Sequence, residues 1–226
     1  RDVDTLEGAF AGRVDRSPDH ELCARAGAVF RQFRGLDPEL REAARPPIEE
    51  MARGMAEYAR RWQGTDELTV LRDLGDLQRY CYYVAGTVGT LLTELFLVTE
   101  QSLPWETQQG LTERSVAFGL GLQMTNIVKD VAADRERGWC FLPGTVCDKH
   151  GVEPAQITSP DHRAAAMAVV CDVVVQARHH LRSALEYTLL LPASARDVRL
   201  FVLVPMVLAF ATLELVPRSP QLLDGV

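Results

Sequence analysis

Apolar residues recur every three or four positions along most of this chain, the spacing of one face of a helix. Between Glu21 and Phe33 they are Leu22, Ala26, Val29, Phe30 and Phe33. After Pro46-Pro47, a pair suited to a helix start, they are Ile48, Met51, Met55, Tyr58 and Trp62. Gly64-Thr65-Asp66 breaks the pattern, and a long apolar helix is predicted from Leu68 to Thr99. Further helices are predicted from Thr112 or Glu113 to Asp134, from Ser159-Pro160-Asp161 to Leu191, and from Ala195 to Leu215. Gly138 and Pro143 close the first of these, and Pro192 stops the second. The sequence shows no alternating strand pattern with hairpin turns, no repeat and no linker. The expectation is an all-α fold in a single domain over 1–226. The chain opens on Arg1, inside a helical pattern, and is read as incomplete at both its N- and C-terminal ends.

Composition narrows the function classes. With 47% hydrophobic and 24% charged residues, the chain is neither disordered nor a coiled coil. A net charge of −7 argues against a nucleic-acid partner, yet leaves room for an anionic substrate where a divalent cation inverts the local field. The five cysteines form no CxxC pair, which fits reduced thiols and a cytoplasmic location better than a disulfide framework or a zinc knuckle. No uncharged apolar run reaches the length of a membrane-spanning helix; the nearest, Leu200 to Leu213, carries Pro205.

Two polar clusters stand out against the apolar background. In GLQMTNIVKDVAAD, Asn126, Asp130 and Asp134 fall at i, i+4 and i+8, with Gln123 one turn earlier, so their oxygens line one helix face among apolar neighbours. Hard oxygen donors of this kind suit Mg²⁺, although a solvated stripe reads the same way by spacing alone. At the other end, Asp4 and Glu7 share a face at i, i+3, a pattern that a solvated terminus also produces. Between the clusters, Val84 to Phe96 is apolar on more than one face, either a central core helix or the wall of an apolar cavity.

RDVDTLE (1–7), YCYYVAGTVGTLLTELF (80–96) and FGLGLQMTNIVKDVAADRERGWCFLP (118–143), in this order and at this separation, resemble the squalene/phytoene synthase family. The DTLE form of the first motif leans towards the squalene synthases. The resemblance implies an isoprenoid-synthase helical bundle around a central apolar cavity. It implies Mg²⁺-dependent head-to-head (1'-1) condensation of two prenyl diphosphates, farnesyl diphosphate foremost, through a cyclopropyl intermediate to squalene, with reduction by NADPH. It assigns metal binding to Asp4, Glu7, Asn126, Asp130 and Asp134, and diphosphate binding to Arg1, Gln123 and Lys129. Tyr80 takes the place near the ionising diphosphate and the proton-transfer step, and Asp4, Asp130 and Asp134 share the catalytic assignment with it. Val84, Ala85, Val88, Leu92 and Leu122 match positions along the prenyl-chain wall. Peripheral membrane association through the apolar product goes with this reading.

The chain also departs from the family pattern. Gly8 and Ala9 stand where carboxylates continue the first motif, Trp139 replaces an arginine after Gly138, and Lys129 replaces an arginine before Asp130. Two alternatives therefore stay open. One is a phytoene- or dehydrosqualene-type synthase working without NADPH; the other is a non-enzymatic relative that binds a prenyl lipid or a partner subunit.

Overall fold

The computed structural model describes residues 3–10, 17–63 and 68–224, including the side chains of residues 5 and 7–10 in the first stretch. It separates into two compact units, 1–45 and 46–226. In the first, α1 (Val3–Phe10), α2 (Pro18–Ala24) and α3 (Ala26–Arg34) pack together. Ser17 caps α2 by accepting the His20 amide, with Pro18 as first helical residue. Helix α4 runs Pro38–Trp62. It begins eight residues before the predicted start, because the Asp37 carbonyl accepts the Arg41 amide and the Asp37 carboxylate accepts that of Glu39. Pro46 and Pro47 are thus inside a helix rather than at its head, and the division between the units falls there.

The second unit departs from the long helix predicted over 68–99. Thr69–Val70 is a short strand, β1, and α5 starts only at Leu74, where the Asp73 side chain accepts the Asp76 amide. Helix α5 (Leu74–Cys81) passes through a π-turn at Tyr82–Gly86 into α6 (Thr87–Thr99). Helix α7 (Trp105–Lys129) starts a full two turns before the predicted Thr112, directly after Pro104. It stops at Asp130, where φ −103° and ψ 18° leave the helical region, and α8 (Val131–Glu136) follows. Gly138, at φ +84°, ends α8 and leads into β2 (Trp139–Cys140), which pairs in parallel with β1. Then come α9 (Gly144–Lys149), α10 (Arg163–Leu190) and α11 (Arg196–Leu215). The all-α reading holds; two-residue strands are too short to leave an alternation in the sequence.

Helices α7 and α10 form the centre of this unit. Val170, Val173, Val174, Ala177, Leu181 and Ala184 make a stripe of fully buried small and branched side chains along α10. The π-turn and α6 lie close against α7 because the contact points are glycines. A Cβ on Gly119 would collide with the Ala85 carbonyl, and one on Gly89 with the Ser115 carbonyl. On α11, Val202, Met206, Ala209 and Leu213 face inward, whereas Leu200, Phe201, Val204, Val207, Leu208 and Leu215 are more than half exposed. Among the described residues, two helical stretches, Leu74–Thr99 and Arg196–Arg218, are long and apolar enough to cross a membrane by length and composition alone. The criterion of an uncharged run passed over them because Arg79 and Glu94 bound the uncharged stretch of the first, and Arg199 and Glu214 that of the second.

Candidate active site

The acidic stripe survives the break that ends α7. The Asp130 amide donates to the Asn126 carbonyl and the Asp134 amide to the Asp130 carbonyl, each at 2.9 Å. The three residues thus remain one helical turn apart, although no single helix carries them as predicted. Asn126 is exposed, Asp130 is partly exposed and Asp134 is buried. Lys129 Nζ sits 3.1 Å from Asp130 Oδ1, and Arg137 lies 3.8 Å from Asp134. Burial, and then the charge of Asp130, push the Asp134 carboxyl above its usual range, with Arg137 and Lys129 opposing. Gln123 is half-buried, one turn before Asn126. Among the described residues, no three or more His, Cys, Asp and Glu side chains gather closely enough to hold a metal ion. The donor set here is two like-charged carboxylates and one amide. Mg²⁺ commonly takes one or two protein carboxylates and completes its shell with water and substrate phosphate, so these residues fit it.

Tyr80 is buried in a box of rings. Phe141 stacks on it at 4.9 Å with planes 16° apart, Tyr58 meets it edge-on at 5.3 Å, and Trp62 lies at 5.6 Å. Burial pushes its phenol up to about 12, with Cys81 and Asp134 adding to the effect. Tyr80 thus feels the charge of the acidic stripe. Trp139, the departure from the family arginine, is exposed, its ring 5.8 Å from that of Phe141.

An apolar cavity of about 460 Å³ opens among α6, α7, α10 and α11. Gly89, Leu92, Phe96 and Thr99 supply one wall at helical spacing, Phe118 another, and Phe201 with Val202 a third. Its volume is that of a small-ligand site. A hydrogen bond between the Thr93 and Tyr187 hydroxyls, 3.0 Å, ties α6 to α10 beside it. Of the five expected wall residues, Leu92 lines this cavity. Val84, Ala85, Val88 and Leu122 are half-buried outside it, Val84 and Leu122 packing on the main core.

Arg1, and the side chain of Asp4, lie outside the described residues. Glu7 is half-buried in the first unit, where its Oε1 accepts the Gly27 amide at 2.6 Å, at the start of α3. Sequence reasoning did not single out Phe141, Phe118, Phe201 or Val202. Phe141 was within reach, seven residues after Asp134 in the motif itself. The others carried only helical periodicity, which does not separate a core face from a cavity wall.

Comparison with known proteins agrees with this architecture. A family model described as squalene/phytoene synthase matches residues 2–225. The squalene synthase of Cyberlindnera jadinii is 29% identical over 229 residues, covering 98% of this chain and 48% of that protein. That of Eremothecium gossypii is 31% identical over 223 residues, covering 96% and 48%. The chain therefore spans about half the length of these curated relatives. A solved complex of TcSQS with the ligand BPH1237 shares the fold at a TM-score of 0.79, with 24% identity over 99% of this chain and 67% of that one. By the match along almost its entire length, the chain belongs to the squalene/phytoene synthase family.

Proposed function

We propose that this chain carries a head-to-head prenyltransferase site that condenses two farnesyl diphosphates through a cyclopropyl diphosphate to squalene. The observation that supports it best is the juxtaposition, within one unit, of Asp134 and the buried Tyr80: Asp134 and Phe141 line one small crevice, and Phe141 stacks on Tyr80. Asp130, Asp134 and Asn126 are the residues that would hold Mg²⁺ here. When bound, the ion supplies the positive charge that stabilises a departing diphosphate. Lys129, ion-paired with Asp130, adds a cation at the same helix end, and Gln123 an amide donor. Tyr80 presents its ring and phenol to the ionising carbon from a dry setting, since Phe141, Tyr58 and Trp62 exclude water around it. The cavity beside Leu92 and Phe201 takes the hydrocarbon chain. The apolar product and the exposed apolar strip of α11 favour peripheral contact with a membrane.

Release of diphosphate from farnesyl diphosphate tests this reading. Release that requires Mg²⁺ and stops with a chelator is expected; no release overturns it. Nothing among the described residues marks a nicotinamide site. Product analysis with and without NADPH separates squalene formation from the phytoene- or dehydrosqualene-type outcome. One observation favours a second reading, a prenyl-lipid-binding relative without catalysis. Glu7 spends one carboxylate oxygen on the Gly27 amide, and Gly8 and Ala9 follow it. Binding of a farnesyl diphosphate analogue without turnover would identify that case.

A further inference from the structure

We infer that the Asp76 carboxylate and the Tyr58 hydroxyl form a positioning device that fixes the ring of Tyr80; the inference rests on the role proposed for Tyr80 above. Asp76 is 3% exposed and stands one turn before Tyr80 on α5. Its Oδ1 accepts the Tyr58 hydroxyl and the Arg61 guanidinium, both at 2.9 Å. Its Oδ2 accepts the Arg72 amide at 2.9 Å and lies 2.7 Å from Arg61. One carboxylate therefore joins α4, the turn after β1 and α5. Those elements carry the box: Tyr58 and Trp62 on α4, Tyr80 on α5. Phe141 follows β2, whose Cys140 carbonyl accepts the Leu71 amide.

Burying an ion pair is a poor way to gain stability, because desolvation of both charges offsets their attraction, and apolar side chains of similar volume often do as well. What the charged network adds is direction. Each bond has one preferred geometry, and together they set the azimuth of α5 relative to α4, hence the edge-on approach of Tyr58 to Tyr80. Both carboxylate oxygens and the Tyr58 hydroxyl are engaged, so these groups act through Tyr80 rather than on substrate.

Tyr58→Phe keeps the ring and removes only the hydroxyl; Asp76→Asn keeps the shape and removes the charge. The expected result for Tyr58→Phe is a kcat lower by roughly 10- to 100-fold with KM within about twofold. In a Tyr80→Phe background the same substitution should change kcat no further, because its effect travels through Tyr80. An equal loss in both backgrounds, or an unchanged kcat, overturns the inference. Should Tyr80→Phe itself turn over like the parent, the role of Tyr80 fails instead, and the two failures are told apart. A second measurement is independent of turnover and of whether Asp76→Asn folds. Fluorotyrosine at position 80 should give one sharp fluorine resonance in the parent, broadened or split in Tyr58→Phe. An unchanged line in Tyr58→Phe refutes positioning.

Discussion

Asp134 stands one helical turn after Asp130, its amide donating to the Asp130 carbonyl at 2.9 Å across the break that ends α7, and its buried carboxyl is pushed up by burial and then by the charge of its neighbour. Lys129 and Arg137 oppose that shift without cancelling it, so the charged Asp134 is unfavourable for the fold. Asp134→Asn is therefore expected to leave the melting temperature unchanged or raised, while Mg²⁺-dependent diphosphate release falls about 100-fold or more. Parallel melting and release assays on the full chain check both halves. A large loss of stability with activity retained would return Asp134 to a structural role.

The Asp76 network predicts a pH dependence of stability. Burial alone would push this carboxyl up, but the Arg72 amide, the Arg61 guanidinium and the Tyr58 hydroxyl hold it down to about 2, from an ordinary 3.8. A carboxyl whose folded pKa is depressed contributes stability above its unfolded pKa and loses it as pH falls through the folded value. About 2 kcal/mol should therefore disappear between roughly pH 4 and pH 2. Urea unfolding of the parent and of Asp76→Asn over that range measures it, and the variant should show a shallower slope.

Gly119→Ala should destabilise by about 1–3 kcal/mol, because the new methyl group meets the Ala85 carbonyl and the Gly86 amide, main-chain atoms with little freedom to move. Gly8, also helical, has nothing within 4 Å of its added Cβ. Gly8→Ala should be neutral or stabilising by up to about 1 kcal/mol. Denaturant midpoints of the two variants make the comparison.

Leu92→Trp should fill the cavity between α6 and α11. A KM for farnesyl diphosphate raised roughly tenfold is expected, with a smaller change for the shorter geranyl diphosphate. Equal effects on both substrates would place the hydrocarbon chain elsewhere.

The helical nature of the chain was legible because tertiary packing follows the same apolar period that local structure does. Helix α11 appears within one residue of its predicted start. What escaped were features set by partners distant in sequence. Leu68 to Asp73 has helical apolar spacing, but the Thr69 and Leu71 amides bond to the Gly138 and Cys140 carbonyls, so a strand forms. The break at Asp130 is hidden because Ile127, Val128 and Val131 keep the apolar period through it. For the site, residue types and spacing pointed to the acidic stripe, and the family resemblance pointed to Tyr80. Of the expected wall residues, Leu92 lines the cavity, whereas Val84 and Ala85 lie ahead of it, inside the π-turn, and its stripe begins at Gly89. Periodicity reports which side of a helix is apolar, not how far along that side a void begins.

The parallel pairing of Thr69 with Trp139 and Val70 with Cys140 has a consequence for assembly. Tyr80, the π-turn and the acidic stripe all belong to one excursion of chain whose start and finish are buttoned side by side. Fastening ends so far apart in sequence carries an entropic penalty that the contacts within must offset. Neither half of the catalytic machinery is therefore expected to mature alone: whatever loosens the clasp unseats the aromatic ring and the carboxylates in the same event.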